Sequence, residues 1–180
     1  MTNKNSVRIR KMVITALCVA LCIVLPMAFH FIPNGGILFS PMHLPVLLCG
    51  IICGPQYGLI CGLAGPLVSS LLTGMPAAAY APTMMIELAI YGLVIGLMMH
   101  FVHTGKQLAD IYISLLTAML SGRILTGIVR ALIFAKGTYT IQMWATGYFV
   151  SCFPAILLQL VLVPILYTAL QKAGIIPARK

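Results

Sequence analysis

Between Ser121 and Phe134 the sequence SGRILTGIVRALIF places two arginines, Arg123 and Arg130, in a stretch otherwise apolar enough to sit in a bilayer. Seven residues is close to two helical turns, so the two share one face. An arginine at mid-span costs about 2.5–3.5 kcal/mol on insertion scales, so it faces an interior cavity and finds a partner. Arg130 stands about 6 Å by helix rise from the end of its segment and can snorkel to the interface. Arg123 lies too deep for that. The acidic residues number 2 in the whole chain, Glu87 and Asp110. Asp110 opens a segment, where a carboxylate suits a helix N-terminus. Glu87 lies four residues into its own segment, at the depth of Arg130. One glutamate neutralises at most one arginine, so a positive charge is expected to remain in that half of the bundle. Two readings stay open. In one, Glu87 and an arginine form a structural tie while carbonyls or water satisfy the other arginine. In the second, the arginines line a pocket and meet an anionic or strongly polar ligand.

His43 follows Pro41 at the start of a segment. It reads either as an interfacial histidine or as part of such a pocket, because proline-flanked breaks occur where backbone lines a cavity. Tyr80, Tyr91 and Trp144 are candidates for stacking or capping a ligand, and Asn34 for hydrogen bonding it. Tyr139, Trp144 and Tyr148 are expected to form part of an aromatic belt.

These residues need a membrane framework, and the composition supplies one. Apolar residues make up 61% of the 180, charged residues 7%, and the mean hydropathy is +1.08. A soluble domain carries about 25% charged residues. The fold class expected is an all-α integral membrane protein, one membrane domain built as a compact bundle of six transmembrane helices. The spans run over about 12–32, 42–54, 57–73, 83–103, 111–134 and 145–170, the second and third short and broken by Gly54-Pro55. Residues 33–41 and 74–82 read as uncharged loops. The apolar runs are continuous rather than alternating, which excludes a barrel. The net charge of +9 does not point to nucleic acid. Most of the basic residues (Lys4, Arg8, Arg10, Lys11, Lys106, Lys172, Arg179 and Lys180) cluster at span ends, the positive-inside pattern. Both termini are therefore expected in the cytoplasm, with the loops at 33–41 and 74–82 outside a plasma membrane.

Gly50, Gly54, Gly58 and Gly62 recur at every fourth position. Small residues at that spacing let helix backbones approach closely in lipid, here for packing within the chain. The 6 cysteines all lie in apolar surroundings. They read as small packing residues rather than metal ligands. The sequence has no phosphate-binding G-x-x-x-x-G-K-[ST] loop, no H-E-x-x-H, no G-x-S-x-G and no paired carboxylates for magnesium. Neither a cofactor nor catalysis is expected. With so few acidic groups, a proton- or cation-coupled carrier has little to work with.

The chain resembles the substrate-binding S components of energy-coupling factor (ECF) vitamin transporters. The resemblance rests on FSPMHLPVLLCGIICGPQYGLICGLAGPLVSSLLTGMP, ELAIYGLVIGL, SGRILTGIVRALIF and FPAILLQLVLVPILYTAL, and it is closest to the pantothenate and pyridoxine-type subgroup. It implies an outward-opening pocket formed by the loops and segments four to six, a small B-type vitamin as ligand, and partners that supply the energy: a membrane T component and two cytoplasmic ATPases. It also implies that Ala16 and Ala20, in TALCVALC, match the family's Ala-x-x-x-Ala motif facing the T component. The family mechanism has the loaded subunit tip over in the membrane. The alternative kept beside this reading is a self-sufficient secondary transporter or channel for a small anionic solute.

Overall fold

The computed structural model describes residues 4–29, 35–134 and 139–176, and within these it is helical throughout, without strands. The helices are α1 (Lys4–Ala28), α2 (Gly35–Phe39), α3 (His43–Cys53), α4 (Pro55–Thr73), α5 (Ala81–Phe101), α6 (Gln107–Val129), α7 (Ile141–Ala145) and α8 (Phe153–Lys172). A π turn, Arg130–Phe134, prolongs α6, and a second, Thr146–Val150, follows α7. Five helices are long and apolar enough to cross a membrane: α1, α4, α5, the continuous Gln107–Phe134 and α8. The sixth, α3, has 11 residues, which reach about 16 Å, half the hydrocarbon thickness.

Three boundaries differ from the expectation. The stretch 33–41, read as a loop, contains α2. The third span is not short: α4 has 19 residues. Gly54, at φ 97°, closes α3 and lets α4 restart at once with Pro55 in its first turn, where a missing N–H costs nothing. The last span is not continuous from 145. The chain turns at Ser151-Cys152, and Pro154 begins α8 at its N-terminus. Proline disfavours helical backbone for the residue before it, which sets this restart.

The glycines form a seam. A Cβ on Gly58 would run into the carbonyl of Gly92, and one on Gly92 into the carbonyl of Gly58. A Cβ on Gly62 would meet Leu88 backbone, and one on Gly50 would lie 2.6 Å from the Gly92 oxygen. So α3 and α4 meet α5 backbone to backbone. Behind the seam, Cys18 and Cys22 of α1, Cys49 and Cys53 of α3 and Cys61 of α4 pack with Met42, Val46 and Leu88 into one buried cluster. All are free thiols. Among the described residues no group of side chains is arranged to hold a metal ion.

On the other side of α5 a second core joins α3, α5, α6 and α8 through Leu47, Tyr91, Ile95, Leu115, Met119, Val163 and Tyr167. The two ends of the bundle differ. Lys11 caps Tyr57 near Cys53, and Gln107 donates to Gln171 at 2.6 Å, so the beginning of α1 and the end of α8 share one end. At that end Asp110 accepts from the Thr104 N–H at 2.8 Å and from its hydroxyl at 2.7 Å. The polar cluster described next lies toward the opposite, distal end.

Candidate functional site

Each polar residue of the cluster stands one helical turn from a core residue on the same helix face. His43 is four residues before Leu47 on α3, Glu87 four before Tyr91 on α5, Arg123 four after Met119 on α6, and Gln159 four before Val163 on α8. Because α6 runs antiparallel to the other three, all four point the same way from the core. They form a polar layer on its distal side.

Within that layer, His43 Nε2 and Glu87 Oε1 are 3.6 Å apart. The His43 ring meets Tyr91 edge-on, with centroids 5.2 Å apart. Arg123 Nε donates to the Tyr91 hydroxyl at 3.1 Å. The result is a chain Glu87–His43–Tyr91–Arg123 across three helices. Tyr91 is held in place by Gly122, whose missing side chain leaves room for its ring. Arg123 is 5% exposed, and its guanidinium lies over Phe149 at 5.5 Å. Trp144 closes this side. Its Nε1 donates to the Arg123 carbonyl at 3.0 Å, its indole sits in the space left by Gly127, and Phe149 packs on it at 5.2 Å.

The sequence residues therefore divide. His43, Glu87, Tyr91, Arg123 and Trp144 come together. Arg130 does not join them: two turns of helix carry it about 10 Å farther out, where it lies over Tyr139 at 5.2 Å. Burial raises the Tyr139 phenol above its ordinary value against the pull of Arg130, and the ring offers its face to the cation. Glu87 pairs with His43, not with an arginine. The polar layer therefore contains one guanidinium and one carboxylate, joined through His43 and Tyr91. Tyr80 is 59% exposed ahead of α5, away from the layer. Asn34 lies outside the described residues.

Sequence reasoning missed Gln159, Thr126 and Phe149. Gln159 is 1% exposed and neither amide atom has a partner; Thr126 Oγ1 and His43 Nδ1 are also buried without one. The available signal for Gln159 was a lone amide in the apolar run AILLQLVLVP, since polar groups inside a membrane are expensive. A groove of about 290 Å³ opens beside the cluster between α6 and α7, lined by Ile124, Gly127, Ile128, Ala131, Tyr139 and Trp144 among others. It is apolar and shares only Trp144 with the polar layer.

Ala16 and Ala20 lie on the exposed face of α1, with Val13, Leu17 and Val24, opposite the face that buries Cys18 and Cys22. Over residues 10–176 the chain matches the family described as ECF transporter, substrate-specific component. No curated protein matches it.

Proposed function

Since the chain belongs to the family of substrate-specific components of ECF transporters, the subunits that bind a small molecule for a T component and its ATPases and are not enzymes, we propose that it captures a B-type vitamin or a related small polar or anionic molecule, of pantothenate or pyridoxine type. The observation that carries this reading is the buried layer Glu87–His43–Tyr91–Arg123 at the distal end. Charged groups at such depth are costly and mark ligand sites. Arg123 supplies the donors for an anionic or carbonyl oxygen, Tyr91 holds the arginine, Glu87 fixes His43 against Tyr91, and Trp144 caps the site. Arg130 and Tyr139 form an outer station on the approach.

The distal end faces outward in this reading, and both termini are cytoplasmic. Lys4, Arg8, Arg10, Lys11, Lys106 and Lys172 lie in the first turns of α1, cap α6 or end α8, and basic residues favour the cytoplasmic side. Ala16 and Ala20 face the T component, since small exposed residues one turn apart permit close helix approach.

The test is a thermal-shift screen of the purified protein in detergent against the B vitamins, with Arg123→Ala alongside. A ligand at about 100 times its Kd adds about 2.7 kcal/mol of stability. Stabilisation by one vitamin, lost in the variant, supports the reading and names the substrate. Silence across the panel from folded protein refutes it.

A further inference from the structure

We propose, building on the reading above, that Gln159 is the specificity-determining residue of this site and that it reads an amide-type group on the substrate, one that offers a donor beside a carbonyl acceptor. The class is small molecules bearing a carboxamide, imide, ureide or hydroxy-amide.

Gln159 lies on α8 in the same layer as Arg123. Val163, one turn after it, belongs to the core that contains Tyr91, and Gln159 stands on the distal side of that core, as Arg123 does beyond Met119. Its side chain is 1% exposed, and both Nε2 and Oε1 lack a partner. A buried amide with neither half satisfied is rare, because each unmade hydrogen bond costs free energy. Leucine would fill the same volume at no such cost. The amide is therefore retained for something that arrives with one donor and one acceptor.

Thr126 supports this. Buried Thr15 gives its hydroxyl to the Lys11 carbonyl one turn back, whereas on α6 both Ser114 Oγ, deeper in the bundle, and Thr126 Oγ1 are buried without a partner. Thr126, fully buried and one turn beyond Arg123, makes no such bond. With His43 Nδ1, also unpartnered, three helices present open hydrogen-bonding atoms in this layer or one turn from it. Glu87 pairs with His43, and Arg123 gives its Nε to Tyr91 while its terminal nitrogens serve the substrate's oxygen. Gln159 and Thr126, open and uncharged beside these pairs, select a neutral polar edge on the part of the substrate they meet. Of the two vitamin types favoured above, a pantothenate-type molecule carries such an edge and a pyridoxine-type molecule carries no carbonyl.

The experiment is isothermal titration of detergent-purified wild type, Gln159→Leu and Gln159→Met with two sets of probes. Pantothenate, biotin, riboflavin and nicotinamide bear the group; pyridoxine, nicotinate and lipoate lack it. Thermal unfolding of each unliganded protein is recorded alongside. The expected result is binding of an amide-bearing probe to wild type, weakened about tenfold or more in both variants, while the unliganded variants unfold at or above the wild-type temperature. A residue that only packs would not lower affinity while raising stability. Unchanged affinity in both variants, or binding confined to the probes without the group, overturns the proposal and leaves the binding-subunit reading intact. If no probe binds folded wild type, that reading itself fails and the proposal falls with it. The methionine variant keeps the side-chain length should leucine disturb folding.

Discussion

Replacing Tyr91 by phenylalanine isolates one interaction in the polar layer. The ring is fully buried, fits the space left by Gly122 and meets His43 edge-on. Phenylalanine keeps all of this and removes a single oxygen, so the cavity contribution is small. What is lost is the acceptor for Arg123 Nε, 3.1 Å away. A hydrogen bond to a charged group is worth about 1.5–3 kcal/mol, and here the donor is left buried and unpaired. For a chain of this length each kcal/mol moves the unfolding temperature by about 2–4 °C, so Tyr91→Phe should unfold about 3–12 °C below wild type. The assay is thermal unfolding in detergent, run as a double-mutant cycle with Arg123→Met. If the bond is the cause, the tyrosine substitution should cost little once the guanidinium is gone, because neighbours in one network are non-additive. A Tyr91→Phe protein within about 1 °C of wild type, or full additivity with Arg123→Met, would refute the reasoning.

Two further outcomes follow from packing. Gly58→Ala forces a methyl into the Gly92 carbonyl and should destabilise by about 1–3 kcal/mol or more, whereas Gly147→Ala meets nothing within 4 Å and should be neutral or slightly stabilising; parallel melting curves decide between them. Ala16→Leu with Ala20→Leu alters only the exposed face of α1, so the variant should keep its melting temperature and ligand binding yet fail to co-purify with a co-expressed T component.

How much was readable in advance depended on whether a property belongs to one helix or to a pair. The apolar lengths of α1, α5 and α6 announce themselves, as does the cost of Arg123 in lipid. The every-fourth-residue glycines foretold close approach and the structure uses Gly50, Gly58 and Gly62 for that purpose. The pairing of Glu87 with His43 rather than with an arginine depends on the relative rotation of α3 and α5, which no single-segment pattern encodes. Arg130 shares a face with Arg123 in projection, but axial distance separates them. The helix α2 was missed because GGILF is too short to express a period. Gln159 is hard to see because it carries no formal charge and interrupts the apolar run by one residue, although an uncharged amide in lipid is also costly.

The seam also distributes freedom to change. Helix α5 is fixed on one side by backbone contact at Gly92 and Gly96, and it shows Glu87 and Tyr91 on the other. Backbone contact tolerates almost no substitution, whereas Phe149 and Trp144 meet Arg123 only with their side chains. Side chains around Arg123 can therefore be exchanged one at a time while the fixed half holds the helices in register, as a lock accepts new pins without a new barrel.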